Sequence, residues 1–224
     1  MRRTKIVFAI LFSSFSSLIA QQEGKNILKG FGIEEGIGYN SLILKNGQRS
    51  DESYQKLFVQ PVVKIFYNMP LYDFGNGIKI RMPIFIGYST FGGKHENTTF
   101  LMEPGLAQPT TIIDQFRGFE SGINPSIEKG RVQIGLLFKE QYIFSAMRKM
   151  YMVGSSQGSY WMETDERSQH KNYAFSWGIK IKVRIIKGFS LSGETGWGVT
   201  NLYGWKHADA IYANNYRLLF GYQF

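Results

Sequence analysis

Large apolar residues return at every second position through most of this chain. The pattern is sharpest at Tyr173, Phe175, Trp177, Ile179, Ile181, Val183 and Ile185, which alternate with Ser176, Gly178, Lys180, Lys182 and Arg184. Successive side chains of a β-strand point to opposite faces, so this spacing predicts a strand with one greasy and one polar side. Seven other stretches carry the same period. Ile33, Ile37, Tyr39 and Ile43 oppose Glu34, Gly36, Gly38 and Asn40. Val59, Pro61, Val63, Ile65 and Tyr67 oppose Gln60, Lys64 and Asn68; Pro61 cannot donate to a ladder and marks a bulge or a rim. Ile78, Ile80, Met82, Ile84, Ile86 and Tyr88 oppose Lys79, Arg81, Pro83, Phe85 and Gly87. A weaker strand over about 115–128 sets Phe119, Ile123 and Ile127 against Gly118, Glu120, Gly122 and Asn124. Val132, Ile134, Leu136 and Phe138 begin the next, whose phase slips at Lys139-Glu140 and resumes at Tyr142 and Phe144, as a β-bulge would allow. Phe189, Leu191, Trp197 and Val199 oppose Ser190, Ser192, Glu194 and Gly196. The last strand sets Tyr216, Leu218, Phe220, Tyr222 and Phe224 against Arg217, Leu219, Gly221 and Gln223.

The segments between these strands differ in length. Polar or irregular stretches are expected at 45–55, 91–114, 147–171 and 204–213. Tight turns are expected at Lys129-Gly130 and Lys187-Gly188, and a turn over 69–76 leads into Gly75-Asn76-Gly77. Long connections after the first, third, fifth and seventh strands, with short ones between, are the pattern of a membrane barrel. Soluble sandwiches and lipocalin-like barrels also alternate, but they turn the apolar face inward. Here the faces opposite the apolar ladders carry Lys, Arg, Glu and Gly, which suit a narrow lumen. The fold expected is all-β: an eight-stranded antiparallel up-and-down transmembrane β-barrel.

The start of the chain adds an address. Arg2, Arg3 and Lys5 precede the apolar run Ile6 to Phe12 and a small-residue zone ending at Ala20. This reads as a signal peptide over 1–20, too short to span a membrane, followed by one barrel domain over 21–224. The general secretory route is expected, since a barrel must cross the inner membrane unfolded. The chain contains no Cys, which excludes a lipid-anchored N-terminal cysteine, disulfides and thiolate metal sites. Lys and Arg outnumber Asp and Glu by 26 to 17, without clustering into an arm or helix face. Attraction to anionic lipid head groups is the better use of this charge, and no nucleic-acid partner is expected.

Candidate chemistry centres on the lumen. The inward register collects Lys64, Lys79, Arg81, Lys139, Lys180, Lys182, Arg184 and Arg217 against Glu34, Glu120 and Glu194. Eight strands leave room only for the barrel's own side chains, so a packed charge network is expected ahead of a narrow anion-preferring pore. His95, His170 and His207 fall in the predicted loops as surface groups. His95-Glu96 and His207 with Asp209 are sequence neighbours, not a positioned catalytic pair, and no catalytic residue, cofactor or metal is expected. Met147, Met150, Met152 and Met162, with Tyr151, Tyr160 and Trp161, predict an apolar contact surface or a strand projecting past the membrane, ahead of a copper(I) site.

Two resemblances follow from these residues. The ladder Tyr216, Leu218, Phe220, Tyr222 and Phe224 resembles the C-terminal signal of bacterial outer-membrane barrels, which implies recognition by the barrel insertion machinery. The stretches VQPVVKIFYNMPL, GETGWGVTNLYG and NNYRLLFGYQF resemble the small outer-membrane barrel family common in Bacteroidota, including PorT-like proteins and similar in architecture to OmpA and OmpX barrels. The resemblance implies an outer-membrane location and a non-enzymatic structural or surface-interaction role through external loops. It also implies an alternative as an accessory subunit of a secretion or uptake complex, by analogy with type 9 secretion. A lipid A-modifying activity is the weaker alternative. Outer-membrane lipids and envelope proteins are the partners implied.

Overall fold

The computed structural model of the chain describes residues 30–46, 49–96, 108–154, 158–202 and 209–224; the expected signal segment over 1–20 lies outside them. Ten strands follow in order: β1 (Phe31–Asn46), β2 (Arg49–Asp73), β3 (Ile78–Glu96), β4 (Gln108–Ile123), β5 (Ser126–Lys129), β6 (Val132–Gly154), β7 (Gly158–Asp165), β8 (Tyr173–Ile186), β9 (Phe189–Gly198) and β10 (Asp209–Gln223). Each pairs antiparallel with its neighbour around a ring, and β10 returns to β1 from Gly32↔Gln223 to Asn46↔Asp209. β4 and β5 both lie between β3 and β6, so they are one strand interrupted at Asn124-Pro125. β7 pairs with β6 alone and stands outside the ring. The result is a closed eight-stranded antiparallel barrel, as the period-two pattern predicts.

The interruption in β4/β5 has a local cause. Pro125 brings no N–H to the ladder. Asn124 bridges the break: its backbone N–H donates to Pro83 O at 2.8 Å and its Nδ2 to Leu136 O at 2.7 Å. Pro61 behaves as its chemistry predicts, sitting outward where the β2–β3 pairing skips from Lys56 to Val62. The turns at Gly130 and Gly188 use the left-handed backbone open to glycine, with φ of +61° and +81°.

The polarity of the barrel is inverted relative to a water-soluble protein. Ile37, Ile65, Ile84, Ile86, Ile134, Ile181 and Leu218 are exposed on the outside, while Glu34, Lys64, Glu120, Glu194 and Arg217 are buried inside. Two aromatic girdles bound the aliphatic band. One holds the pairs Phe31–Tyr67 and Phe189–Tyr222, with ring centroids 4.9 and 4.8 Å apart. The other holds Tyr39–Tyr216, Tyr142–Tyr173 and Trp177–Trp197, at 5.9, 5.3 and 4.9 Å. Phe31 and Tyr39 are eight residues apart on β1, about 26 Å along a strand and roughly 20 Å along the axis of a barrel tilted by about 40°. With the girdle rings themselves added, that approaches the apolar band of about 25 Å on outer-membrane barrels.

Three expectations need correction. The phase of β6 does not slip at Lys139-Glu140: the pairing with β8 runs unbroken from Val132 to Tyr142. Glu140 is simply an exposed outward residue among apolar ones, and the register shift lies later, where Arg117 faces Ser145 and Gly118 faces Ile143. The segments expected as loops at 45–55 and 91–114 are largely strand in their described parts, because β1 to β4 continue past the girdle. The 147–171 segment is mostly the β6–β7 hairpin, the projecting strand named above as one alternative.

Replacing Asn124 by Ala should cost about 1 kcal/mol by leaving Leu136 O without its side-chain donor. Equilibrium urea unfolding of the refolded barrel would show it; an unchanged midpoint would mean that the break needs no bridge.

Candidate functional site: the lumen and its outer mouth

The lumen is filled in three tiers. The middle tier is a charge cluster to which seven of the eight barrel strands contribute. Arg217 on β10 reaches Glu120 on β4, directly across the ring, with Nη1 to Oε1 at 2.7 Å. Lys64 on β2 donates to both oxygens of Glu194 on β9 at 2.7 and 2.6 Å and lies 3.4 Å from Glu120. Lys180 pairs with Glu34 and, at 3.0 Å, with Glu194. Lys182 lies 3.3 Å from Glu34. Lys139 donates to Asn215 Oδ1 at 2.6 Å. Each of these side chains occupies an inward position of its strand, so the alternation that greases the outside delivers charge to the centre. Such a network fixes register more than it adds net stability, because desolvation offsets the attraction.

Eight of the eleven lumen residues expected from the sequence meet here: Glu34, Lys64, Glu120, Lys139, Lys180, Lys182, Glu194 and Arg217. Arg81 and Arg184 belong to a separate cluster at the end bearing the tight turns, on Glu128 at 3.4 and 2.8 Å. The sequence reading missed Glu128 by stopping the strand's alternation short of it. Lys79 leaves the lumen and pairs with Asp73 at 3.2 Å, where both are well exposed. The Gly75 N–H and then Lys79 hold the Asp73 carboxyl below its ordinary value. Gln141 was also missed; it donates to Ser89 Oγ at 3.0 Å.

The outer tier is apolar, which the expected polar interior did not anticipate. Leu42, Phe91, Phe116, Ile143, Ala146, Ala174, Leu202, Ile211 and Ala213 form one buried cluster. Phe66, Phe85 and Leu137 form a smaller one nearer the turns. Lys182 Nζ lies 4.0 Å from the Phe66 ring and Lys64 Nζ 4.7 Å from Phe85, so the cations stand on the aromatic faces.

The segment between β7 and β8 folds over the outer mouth. Glu166 N donates to Ala146 O at 3.0 Å and Lys171 N to Leu202 O at 2.8 Å. This overturns the expected exposure of His170, which is only 5% exposed. Its Nδ1 donates to Glu166 O at 2.7 Å and its ring meets Phe116 edge-on at 4.9 Å. Burial pushes the imidazole below its ordinary value, against the weaker pull of Glu166 O and Asp114. Beneath it Asp114 receives Arg148 through Nε at 2.7 Å and Nη2 at 3.1 Å. The side chain of His95 and all of His207 lie outside the described residues.

Beyond the mouth, β6 and β7 project as a hairpin. Met150 faces Met162 and Tyr151 faces Trp161, with ring centroids 5.1 Å apart. Tyr160 and Trp161 are exposed, and the edge of β7 away from β6 carries no strand among the described residues. On β10, Tyr216, Leu218, Phe220 and Tyr222 all face outward, and the Phe224 N–H donates to Phe31 O at 2.9 Å.

Glu120→Ala should cost about 3–5 kcal/mol, since it strands Arg217 and Lys64 in the dry centre. Lys79→Ala should unfold like wild type, its pair being solvated. Equal effects in urea titrations would refute this division of the charges. Acid should loosen the mouth. The His170 value is depressed in the folded state, so the open state binds more protons as pH falls below about 6.5, and protection present above that pH is lost. Protection factors at Glu166 and Lys171, with the base-catalysed intrinsic rate divided out, should fall from pH 7.5 to 5.5, and His170→Gln should flatten the change; a pH-independent protection factor in the wild type would contradict it.

No family model and no curated protein sequence matches the chain. Solved barrels are similar in architecture. Neisserial surface protein A is 6% identical at a TM-score of 0.49, covering 87% of this chain and 97% of that one. Ail, the attachment invasion locus protein of Yersinia pestis, is 14% identical at 0.40, covering 88% and 99%. The N-terminal barrel domain of Pseudomonas aeruginosa OprF is 8% identical at 0.35, covering 87% and 98%. At such identities the likeness concerns the fold alone.

Proposed function

We propose that this chain is an integral outer-membrane barrel, closed to conduction and non-enzymatic, that presents the β6–β7 hairpin to a partner outside the cell. The apolar band between two aromatic girdles supports a bilayer, in which a barrel without edges satisfies its backbone. The three filled tiers support closure. The buried contacts of His170 support a structural role for that group in place of an acid–base one.

The observation that carries the reading is the open edge of β7. A strand whose outer edge meets no other strand among the described residues, and which carries Tyr160 and Trp161, is a template for another strand. An external protein adding a strand there would gain main-chain bonds and an aromatic anchor. The outward ladder ending at Phe224 is the surface that the barrel insertion machinery would read.

Planar-bilayer recordings should show no steady channels; sustained anion-selective current would overturn the closed reading. A photo-crosslinking residue at position 161 in intact cells should capture an external protein. Capture of another envelope protein would favour an accessory subunit, and the absence of any specific adduct would remove the hairpin from consideration.

A further inference from the structure

The central charge cluster is not balanced. Among the described residues, Lys64, Lys139, Lys180, Lys182 and Arg217 face only Glu34, Glu120 and Glu194. Four of these cations touch a carboxylate. Lys139, 3% exposed, has its contact with Asn215 Oδ1 and no carboxylate within ion-pair distance among the described residues. The lumen also holds buried polar atoms without a protein hydrogen-bond partner: Arg217 Nε and Nη2, and both the nitrogen and the oxygen of the Asn40 and Gln60 amides.

Register brings these groups together. Gly196, Asn215 and Asn40 form one inward row across β9, β10 and β1, and Glu194, Arg217, Gly38 and Gln60 form the next. Gly196 makes room for Asn215 and Lys139 themselves: a Cβ there would lie 2.5 Å from Asn215 Oδ1 and 3.0 Å from Lys139 Nζ. Gly38 leaves room beside Asn40 and Arg217, where a Cβ would meet nothing closer than 3.5 Å, at Asn40 Nδ2 and Val62 Cγ2. The inward-turned groups are therefore mostly donors: one ammonium, the remaining guanidinium N–H groups and two amides.

An uncompensated buried cation is expensive, and there are two ways to remove the expense. Lys139 can release its proton, or an anion can join it. Release cures the charge but leaves the Arg217, Asn40 and Gln60 donors as they were. An anion satisfies both. We infer that the lumen holds one small inorganic anion of the halide class, bound by Lys139 and Arg217 with the amides of Asn40 and Gln60. Apolar tiers lie above and below, so it is a resident counter-ion enclosed on folding, distinct from a permeating one.

Two measurements on the full chain refolded in detergent test this. Crystals grown in bromide should show anomalous density at hydrogen-bonding distance from Lys139 Nζ. The thermal midpoint, read by heat-modifiable gel mobility, should fall by on the order of 5 °C when chloride is replaced by bulky gluconate at equal ionic strength. Lys139→Met should unfold at the same temperature in both salts. Equal wild-type midpoints with no bromide peak in the lumen would overturn the site. Anion dependence that survives in Lys139→Met would overturn it as well.

Discussion

The rest of this barrel depends on the ladder between β1 and β10. A twisted sheet of this length has two edges, and each edge presents a row of backbone groups that a bilayer cannot solvate. Joining Phe31–Asn46 to Asp209–Gln223 removes both. Closure also decides what lies inside. Eight strands enclose a space only as wide as the side chains that fill it. Every inward position must therefore find its partner across the barrel or beside it.

The tiers are the solution to that packing problem. Charge sits in the middle, where opposite walls are close enough for Arg217 to reach Glu120. Small and apolar side chains fill the outer half, with Ala146, Ala174 and Ala213 leaving space for Phe91 and Phe116 to stack at 5.0 Å. The segment carrying His170 completes that tier from outside. Charges at the ends, such as Arg81, Arg184 and Glu128, lie closer to water and make a looser group.

The outward face was legible because lipid and girdle demand one kind of residue at each depth. Tyr173 to Ile185 could be read without any knowledge of pairing. The inward face was legible only by sign. Glu120 and Arg217 are far apart in sequence, and their meeting depends on the stagger of strands, which periodicity does not contain. Depth was misread where strand ends were misread: Lys79 and Arg184 share the parity of the cluster but lie below it. Glu140 imitates a phase slip because a lone outward carboxylate looks like a change of face. Inward apolar residues such as Leu137 and Ile143 obey packing, not polarity, so the rule of a polar lumen passes over them. Beyond the upper girdle no solvent contrast imposes a period, so the extended ends of β1–β4 look like loops in the sequence, and the β6–β7 hairpin shows only as one alternative, through its Met and aromatic residues.

The outer apolar tier bears on the energy of the membrane itself. Protons cross water by hopping along connected hydrogen-bonded files, and a short dewetted stretch is enough to cut such a file. Leu42, Phe91, Phe116, Ile143 and Leu202 form that stretch. On the closed reading proposed above, a barrel with ammonium, guanidinium and carboxylate groups through its middle would thereby be kept from acting as a proton wire.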